Sequence, residues 1–222
     1  LKISYGITVH NEADELNKLL EILIHKTQKD DEIVICVDDT NGEDDEVRYV
    51  LDSWCQQYGH EELGPYKNIR IYQRKLNGDF SAQKNSVIEN STGDYIFHLD
   101  ADEYPHETLL EQLPTILEFN DVDLIWIPRV NTVEGLTQDH IKKWGWQLTE
   151  NDWVNYPDYQ SRVFRNREDI RWKRKVHEQI EGCKTYAHLP PHEELSLYHP
   201  KTIHKQEQQN LFYNALITDN YL

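Results

Sequence analysis

Methionine is absent from the 222 residues, cysteine is limited to three, and no apolar stretch outlasts a strand. The missing methionine reads as a chain that has been processed, trimmed or engineered. Cys36, Cys55 and Cys183 are odd in number and widely spaced without a C-x-x-C pair, which suggests neither a disulfide framework nor a zinc site and fits a reducing compartment. The longest apolar runs, such as residues 33–37, fall far short of the ~20 residues that span a bilayer. Leu1 opens directly on a strand-like run, without the basic start and long apolar segment of a secretory signal. The expectation is a cytoplasmic protein with no integral membrane segment. Positive charge is also short: 23 Lys+Arg against 40 Asp+Glu leave a net charge of −17, so the surface repels phosphate polymers and general nucleic-acid binding is not expected. Neither G-x-G-x-x-G nor G-x-x-x-x-G-K-[ST] occurs, which removes the dinucleotide and P-loop routes to phosphate binding.

What is present is enough for one folded domain. Hydrophobic residues make up only 38%, but aromatics at 11% restore buried area through large side chains. The apolar pattern predicts strands at 3–9, 32–37, 69–73, 95–99 and 122–130. Between them, Leu16, Leu19, Leu20, Leu23 and Ile24 recur at helical spacing after Asn11 as N-cap, and Val47, Val50, Leu51, Trp54 and Tyr58 form a second stripe. Further helices are predicted at 81–89 and at 107–118, the latter dented by Pro114, with a loop at 59–67. This alternation predicts an α/β fold with a mostly parallel central sheet covered by helices on both faces. Residues 1–130 would form a ligand-binding half, and 131–222 a smaller α+β half of the same domain with a closing helix at 203–219 packed by Leu211, Phe212, Leu216 and Ile217.

In such sheets ligands bind beyond the carboxyl ends of the strands. Those ends carry His10, Asn11 and Glu12, then Asp38 and Asp39, then Asp100 and Asp102. Three acidic clusters on one rim repel each other unless a cation compensates, which implies a metal. In extended backbone the carboxylates of Asp100 and Asp102 point the same way and can share one hard divalent ion, Mg²⁺ or Mn²⁺, with positions left for phosphate oxygens. Asp38 could accept from a base or ribose, against the competing reading of a solvated turn. Glu12 also suits the first turn of a helix by charge alone. Lys84 follows a glycine-containing loop at a helix start, where it could meet phosphate or could be an exposed helix lysine.

The run Ile7-Thr8-Val9-His10-Asn11-Glu12, then Val37-Asp38-Asp39, then Gly78 through Lys84-Asn85, then Gly93 through Asp100-Ala101-Asp102-Glu103, resembles the family 2 glycosyltransferases of GT-A fold. The resemblance implies a GT-A-like domain, a nucleoside-diphosphate sugar as donor with a UDP-sugar foremost, a divalent metal at the D-x-D, and inversion at the anomeric carbon. It places Asn11, Glu12, Asp38 and Lys84 around the nucleotide, Asp100 toward ribose and metal, and Asp102 on the metal. His199, in Leu197-Tyr198-His199-Pro200-Lys201, matches a late histidine that completes the metal shell in many such enzymes. Two departures stand out. Thr40-Asn41-Gly42-Glu43-Asp44 replaces the rest of the usual D-D-G-S-x-D turn, and no clean Q-x-x-R-W occurs; the second half resembles the branch with an arginine-rich strand followed by Val176-His177-Glu178.

Transfer to a hydroxyl needs a base within hydrogen-bond reach. The resemblance puts Glu178 there; Asp158 is the second candidate, and His177 could orient the site, contact the donor or be a satisfied structural residue. Trp144, Trp146, Trp153, Tyr156 and Tyr159 could pack against sugar faces or fill a small core, and Arg162 with the basic run at 173–175 could meet a diphosphate or anionic acceptor or simply be a solvated face. The acceptor is read only as a carbohydrate or other hydroxyl compound, and the oligomeric state is not read. Two other functions compete: a catalytically silent nucleotide- or carbohydrate-binding module, and a sugar nucleotidyltransferase, which would want a basic, glycine-rich loop where His10-Asn11-Glu12 stands.

Overall fold

A computed structural model describes residues 1–58 and 68–219, with side chains for 1–57 and 68–215. The loop expected at 59–67 and the packing of Leu216 and Ile217 lie outside what is described. In chain order the elements are β1 (Ile3–Val9), α1 (Ala13–Lys26), β2 (Glu32–Val37), α2 (Asp45–Tyr58), β3 (Ile69–Gln73), α3 (Phe80–Glu89), β4 (Tyr95–Asp100) and β5 (Tyr104–Pro105). They continue with α4 (Glu107–Phe119), β6 (Leu124–Ile127), β7 (Arg129–Glu134), α5 (Gln138–Trp144), β8 (Gln160–Arg165), β9 (Arg171–Lys173), β10 (Gln179–Glu181), β11 (Tyr186–His188), β12 (Leu197–Thr202) and α6 (Ile203–Asp219).

The α/β class is the one expected. A seven-stranded sheet runs β11-β6-β8-β4-β1-β2-β3. Every residue of β2 is buried, as a central apolar run requires, and even Glu32 at its start is satisfied by Ser4 Oγ at 2.5 Å and by the backbone and hydroxyl of Thr92. Leu16, Leu19, Leu20, Leu23 and Ile24 of α1 are all buried in the main core, each contributing about 1.5–3 kcal/mol by leaving water. Gly6 in β1 lets α3 come close: a Cβ there would stand 2.4 Å from Val87 Cγ1.

Three sequence expectations are corrected. The strand expected over 122–130 is cut by Pro128, which has no N–H for a ladder; β6 stays in the main sheet while β7 joins a second sheet ordered β5-β12-β7. The fifth strand of the alternation therefore does not extend a parallel sheet directly. Instead β8 inserts between β4 and β6, antiparallel to both, so the second half of the chain completes the main sheet of the first. Leu211 and Phe212 do not pack the closing helix: they are 70% and 48% exposed. Tyr213 of α6 does turn inward, and it stacks on His177 with ring centroids 5.7 Å apart. None of the helices among the described residues is long and apolar enough to cross a membrane.

Candidate active site

A cavity of about 470 Å³ opens at the carboxyl ends of β1, β2 and β4, a size within the range that holds a nucleotide-sized ligand. Residues singled out from sequence line it, among them His10, Glu12, Asp38, Lys84, Asp100, Asp102 and Glu178. Phe80, Gln83, Phe212 and Tyr213 also line it. Tyr213 had no local signal, since its role comes from where α6 crosses the mouth.

The first wall is made by α3. Asp79 caps it by accepting from the Ala82 amide at 2.9 Å, the interaction that a helix start offers an acidic side chain. The loop before β10 is tied to this helix: Phe80 N donates to Lys175 O at 2.9 Å, and Asn85 exchanges hydrogen bonds with the backbone of Trp172 at 2.8 and 2.9 Å. His177 holds a left-handed φ of +55° just before Glu178, a conformation that a non-glycine residue keeps only where its surroundings enforce it. The result brings Glu178 Oε1 to 2.6 Å from Lys84 Nζ. Lys84 is only 4% exposed, so it is no surface lysine, and its ammonium is also 3.5 Å from Asp100 Oδ1 and over the Trp172 ring.

The acidic rim carries its own counter-charges, which corrects the inference that repulsion alone demands a metal. Arg162 donates to Asp100 Oδ2 and Glu103 Oε1, each at 2.7 Å, and Arg129 reaches Glu103 and Asp158. Burial alone would raise the Asp100 pKa, but Arg162 and Lys84 outweigh it and hold the carboxyl well below its usual range. Arg162 is thus a buried partner of the acids rather than a free diphosphate ligand. One Asp100 oxygen faces Arg162 and the other accepts from Thr8 Oγ1 at 3.2 Å, while the side chain stays about a third exposed toward the cavity. Asp38 is not a solvated turn either. It is buried, its Oδ1 accepts from Thr40 and from the Leu76 amide, and Oδ2 lies 3.5 Å from His10 Nδ1.

Asp102, in the turn after β4, meets His199 of β12, whose Nε2 lies 3.4 Å from Asp102 Oδ2. The tautomer follows from the neighbours. Asn131 Nδ2 donates to Asp158 Oδ2 at 2.8 Å, which turns Asn131 Oδ1 toward His199 Nδ1 at 2.9 Å. An amide oxygen only accepts, so Nδ1 carries a proton, and Nε2 is the nitrogen that faces the Asp102 carboxylate. Two ligands side by side on an octahedral divalent ion stand about 3 Å apart, so this pair fits one. Among the described residues no group of three or more His, Cys, Asp and Glu side chains could hold a metal; two protein ligands with substrate phosphates is the usual mode for Mg²⁺-type sites.

Three expectations are not brought to the cavity lining. Asn11 is exposed beside it, and it is Glu12, not Asn11, that stands at the N-cap, its carboxylate accepting from the His10 and Asn11 amides. Asp158 is held by Arg129, Asn131 and Gln160. His199 lines a neighbouring cavity instead. The aromatic segment divides its roles: Tyr156 and Tyr159 hydrogen-bond to Ser196 and Leu189, while Trp146 lines that second cavity. Arg174 and Lys175 are exposed.

The family model described as glycosyl transferase family 2 matches residues 4–188, and the chain belongs to this family. Among its relatives is the SPbeta prophage-derived glycosyltransferase SunS of Bacillus subtilis (strain 168), 27% identical over 180 residues, which are 80% of this chain and 34% of SunS. The poly(ribitol-phosphate) beta-N-acetylglucosaminyltransferase TarP of Staphylococcus aureus is 28% identical over 127 residues, 56% of this chain and 35% of TarP. The chain thus spans about a third of the length of these relatives. The crystal structure of S. aureus TarS 1-349 in complex with UDP-GlcNAc superposes with a TM-score of 0.60 at 14% identity, covering 90% of this chain and 59% of that one, a likeness of fold.

Proposed function

We propose that this chain is the donor-binding and catalytic part of an inverting, metal-dependent glycosyltransferase that moves a sugar from a nucleoside-diphosphate sugar, a UDP-sugar foremost, to a hydroxyl acceptor. The observation that carries the reading is the convergence of Glu12, Asp38, Lys84, Asp100, Asp102 and Glu178 on one cavity at the strand ends. Family membership and the shared fold of a protein crystallised with UDP-GlcNAc support it.

In this reading Asp38 and Glu12 flank the nucleoside, with Asn11 at the mouth, and Asp100, fixed by Arg162, faces the ribose. Lys84 meets the diphosphate. Glu178, held 2.6 Å from Lys84, takes the proton of the acceptor hydroxyl. The acceptor oxygen then bonds to the anomeric carbon on the face opposite the diphosphate, the anomeric C–O bond breaks, and the nucleoside diphosphate leaves with that electron pair. Asp102 and His199 would hold Mn²⁺ or Mg²⁺, which when bound neutralises charge on the leaving diphosphate; the imidazole favours Mn²⁺. The test is UDP release from a panel of UDP-sugars in a coupled assay. Turnover that requires Mn²⁺ or Mg²⁺ and nearly vanishes in Asp102→Asn supports the reading, and metal-independent turnover unchanged in Asp102→Asn refutes it.

A further inference from the structure

Gln83 is a buried amide with nothing to bond. It is 5% exposed on α3 and lines the main cavity. Its backbone carbonyl accepts from Ser86 Oγ at 2.7 Å, but its side-chain amide has no hydrogen-bond partner among the described residues. Unlike the ring nitrogens of His98 or the Trp172 indole N–H, which are sealed in, this amide is reachable from the cavity. An unsatisfied amide inside a protein is costly, and one in the wall of a ligand-sized cavity is satisfied by what enters that cavity.

The register of α3 on the sheet fixes which end of the cavity this amide serves. Ile88 packs in one cluster with Ile96, and Lys84 lies 3.5 Å from Asp100, so the helix runs against the strands and starts over their carboxyl ends. Ser86 meets Tyr72 Oη at 2.8 Å and Cys36 Sγ at 3.9 Å, and Val87 packs against Gly6 of β1. Gln83 stands one turn earlier, about 5.4 Å toward the strand ends. Two residues on from Cys36 and Gly6, about 6–7 Å along the strands, come Asp38 and Thr8, and both line the cavity. Gln83 therefore lies over the Asp38 end, as Lys84 beside it lies over Asp100.

Asp38 is set to accept at that end. Its Oδ1 takes the Thr40 amide, the Thr40 hydroxyl and the Leu76 amide at 3.0, 2.5 and 3.0 Å, leaving Oδ2 with His10 Nδ1 at 3.5 Å. A carboxylate oxygen beside an unpaired amide NH₂ is the complement of an imide, an N–H flanked by a carbonyl. We propose that Gln83 selects the base of the donor nucleotide, its NH₂ donating to a uracil carbonyl while Asp38 Oδ2 accepts from the adjacent N3–H. Cytosine turns a bare N3 to the carboxylate and is refused. The proposal rests on the glycosyltransferase reading and gives it a base-selecting residue.

Isothermal titration of UDP and of CDP, each with Mn²⁺, on the full chain and two variants tests it. The parent should bind UDP at least about ten-fold more tightly than CDP, the worth of one well-made base contact. Gln83→Met, close in volume but without the amide, should weaken UDP by about ten-fold and leave CDP within about three-fold. Gln83→Glu, which as a carboxylate can only accept and so suits the cytosine amine, should lower the ratio of UDP to CDP affinity by at least about ten-fold. The urea midpoint of nucleotide-free Gln83→Met should not fall, because the amide it removes has no protein partner. Equal affinity of the parent for UDP and CDP, a ratio that neither variant changes, or equal loss of both nucleotides in Gln83→Met, which would give the amide to the ribose or diphosphate, overturns the inference alone. A lowered midpoint in Gln83→Met would make the amide structural and do the same. Failure of the parent to bind either nucleotide would instead strike the glycosyltransferase reading.

Discussion

The Lys84 ammonium and the Glu178 carboxylate form an ion pair at 2.6 Å inside the cavity, one partner from a helix of the first half and the other from a hairpin loop of the second. The pair fixes the position of the proposed base and couples it to the anion-binding side. Glu178→Gln should lower transfer by about 10²–10⁴-fold, the usual worth of a positioned base, while UDP affinity stays within three-fold. A silent binding module would have no transfer to lose. Initial rates and UDP titrations on the same preparation decide between them.

Asn131 does not touch Asp102, yet its Oδ1, 2.9 Å from His199 Nδ1, fixes that nitrogen as the donor and turns Nε2 to Asp102. Asn131→Leu removes the acceptor for Nδ1–H, and the imidazole is then free to take the other tautomer. Outer partners of metal-ligating histidines are worth about 10–100-fold in metal affinity. The expected outcome is Mn²⁺ affinity reduced within that range in the presence of UDP, with metal-free UDP binding unchanged, read by the electron paramagnetic resonance signal of free Mn²⁺.

Arg162 is 5% exposed and bridges Asp100 to the buried Glu103. Arg162→Met strands two carboxylates and should cost about 3–5 kcal/mol, as for the loss of one member of a buried pair. Adding Glu103→Gln should restore part of that stability. Urea unfolding of the two variants measures both values; a single-variant loss below 1 kcal/mol would show that the network does not hold the rim.

His98 lies beneath Asp100, fully buried, with neither ring nitrogen in hydrogen-bond reach of a partner. Burial pushes its pKa down from 6.5 to about 4, with Lys84 and Arg162 adding to the effect and Asp100 opposing it. Below pH 6.5 the unfolded chain binds a proton that the folded chain refuses, so stability falls as pH drops toward 4, by on the order of 3 kcal/mol for this group. His98→Leu should flatten that segment of the stability profile, and parallel profiles for the two proteins would rule the effect out.

Local pattern reveals elements whose physics is local. The limits of β2 and β3 follow from apolar runs bounded by turn residues, and the acids of the rim are legible because strand ends face one way. The division at Pro128 was visible as a residue but not as a change of sheet, because which sheet a strand joins depends on partners far along the chain. The same holds for Arg162: its sequence neighbours are basic, and only the β4–β8 pairing shows that it faces Asp100 and Glu103. The Asp158–Asn131–His199 series is likewise assembled from three segments, each unremarkable alone.

The insertion of β8 between β4 and β6 governs the order in which this protein can mature during synthesis. When residues 1–130 have left the ribosome, β4 has one open edge and β6 has no neighbour to its inner side. Both wait for residues 160–165, and an unpaired edge recruits whatever strand is near. A nascent chain stalled before that point is an aggregation hazard, and the emergence of residues 160–165 is what seals it.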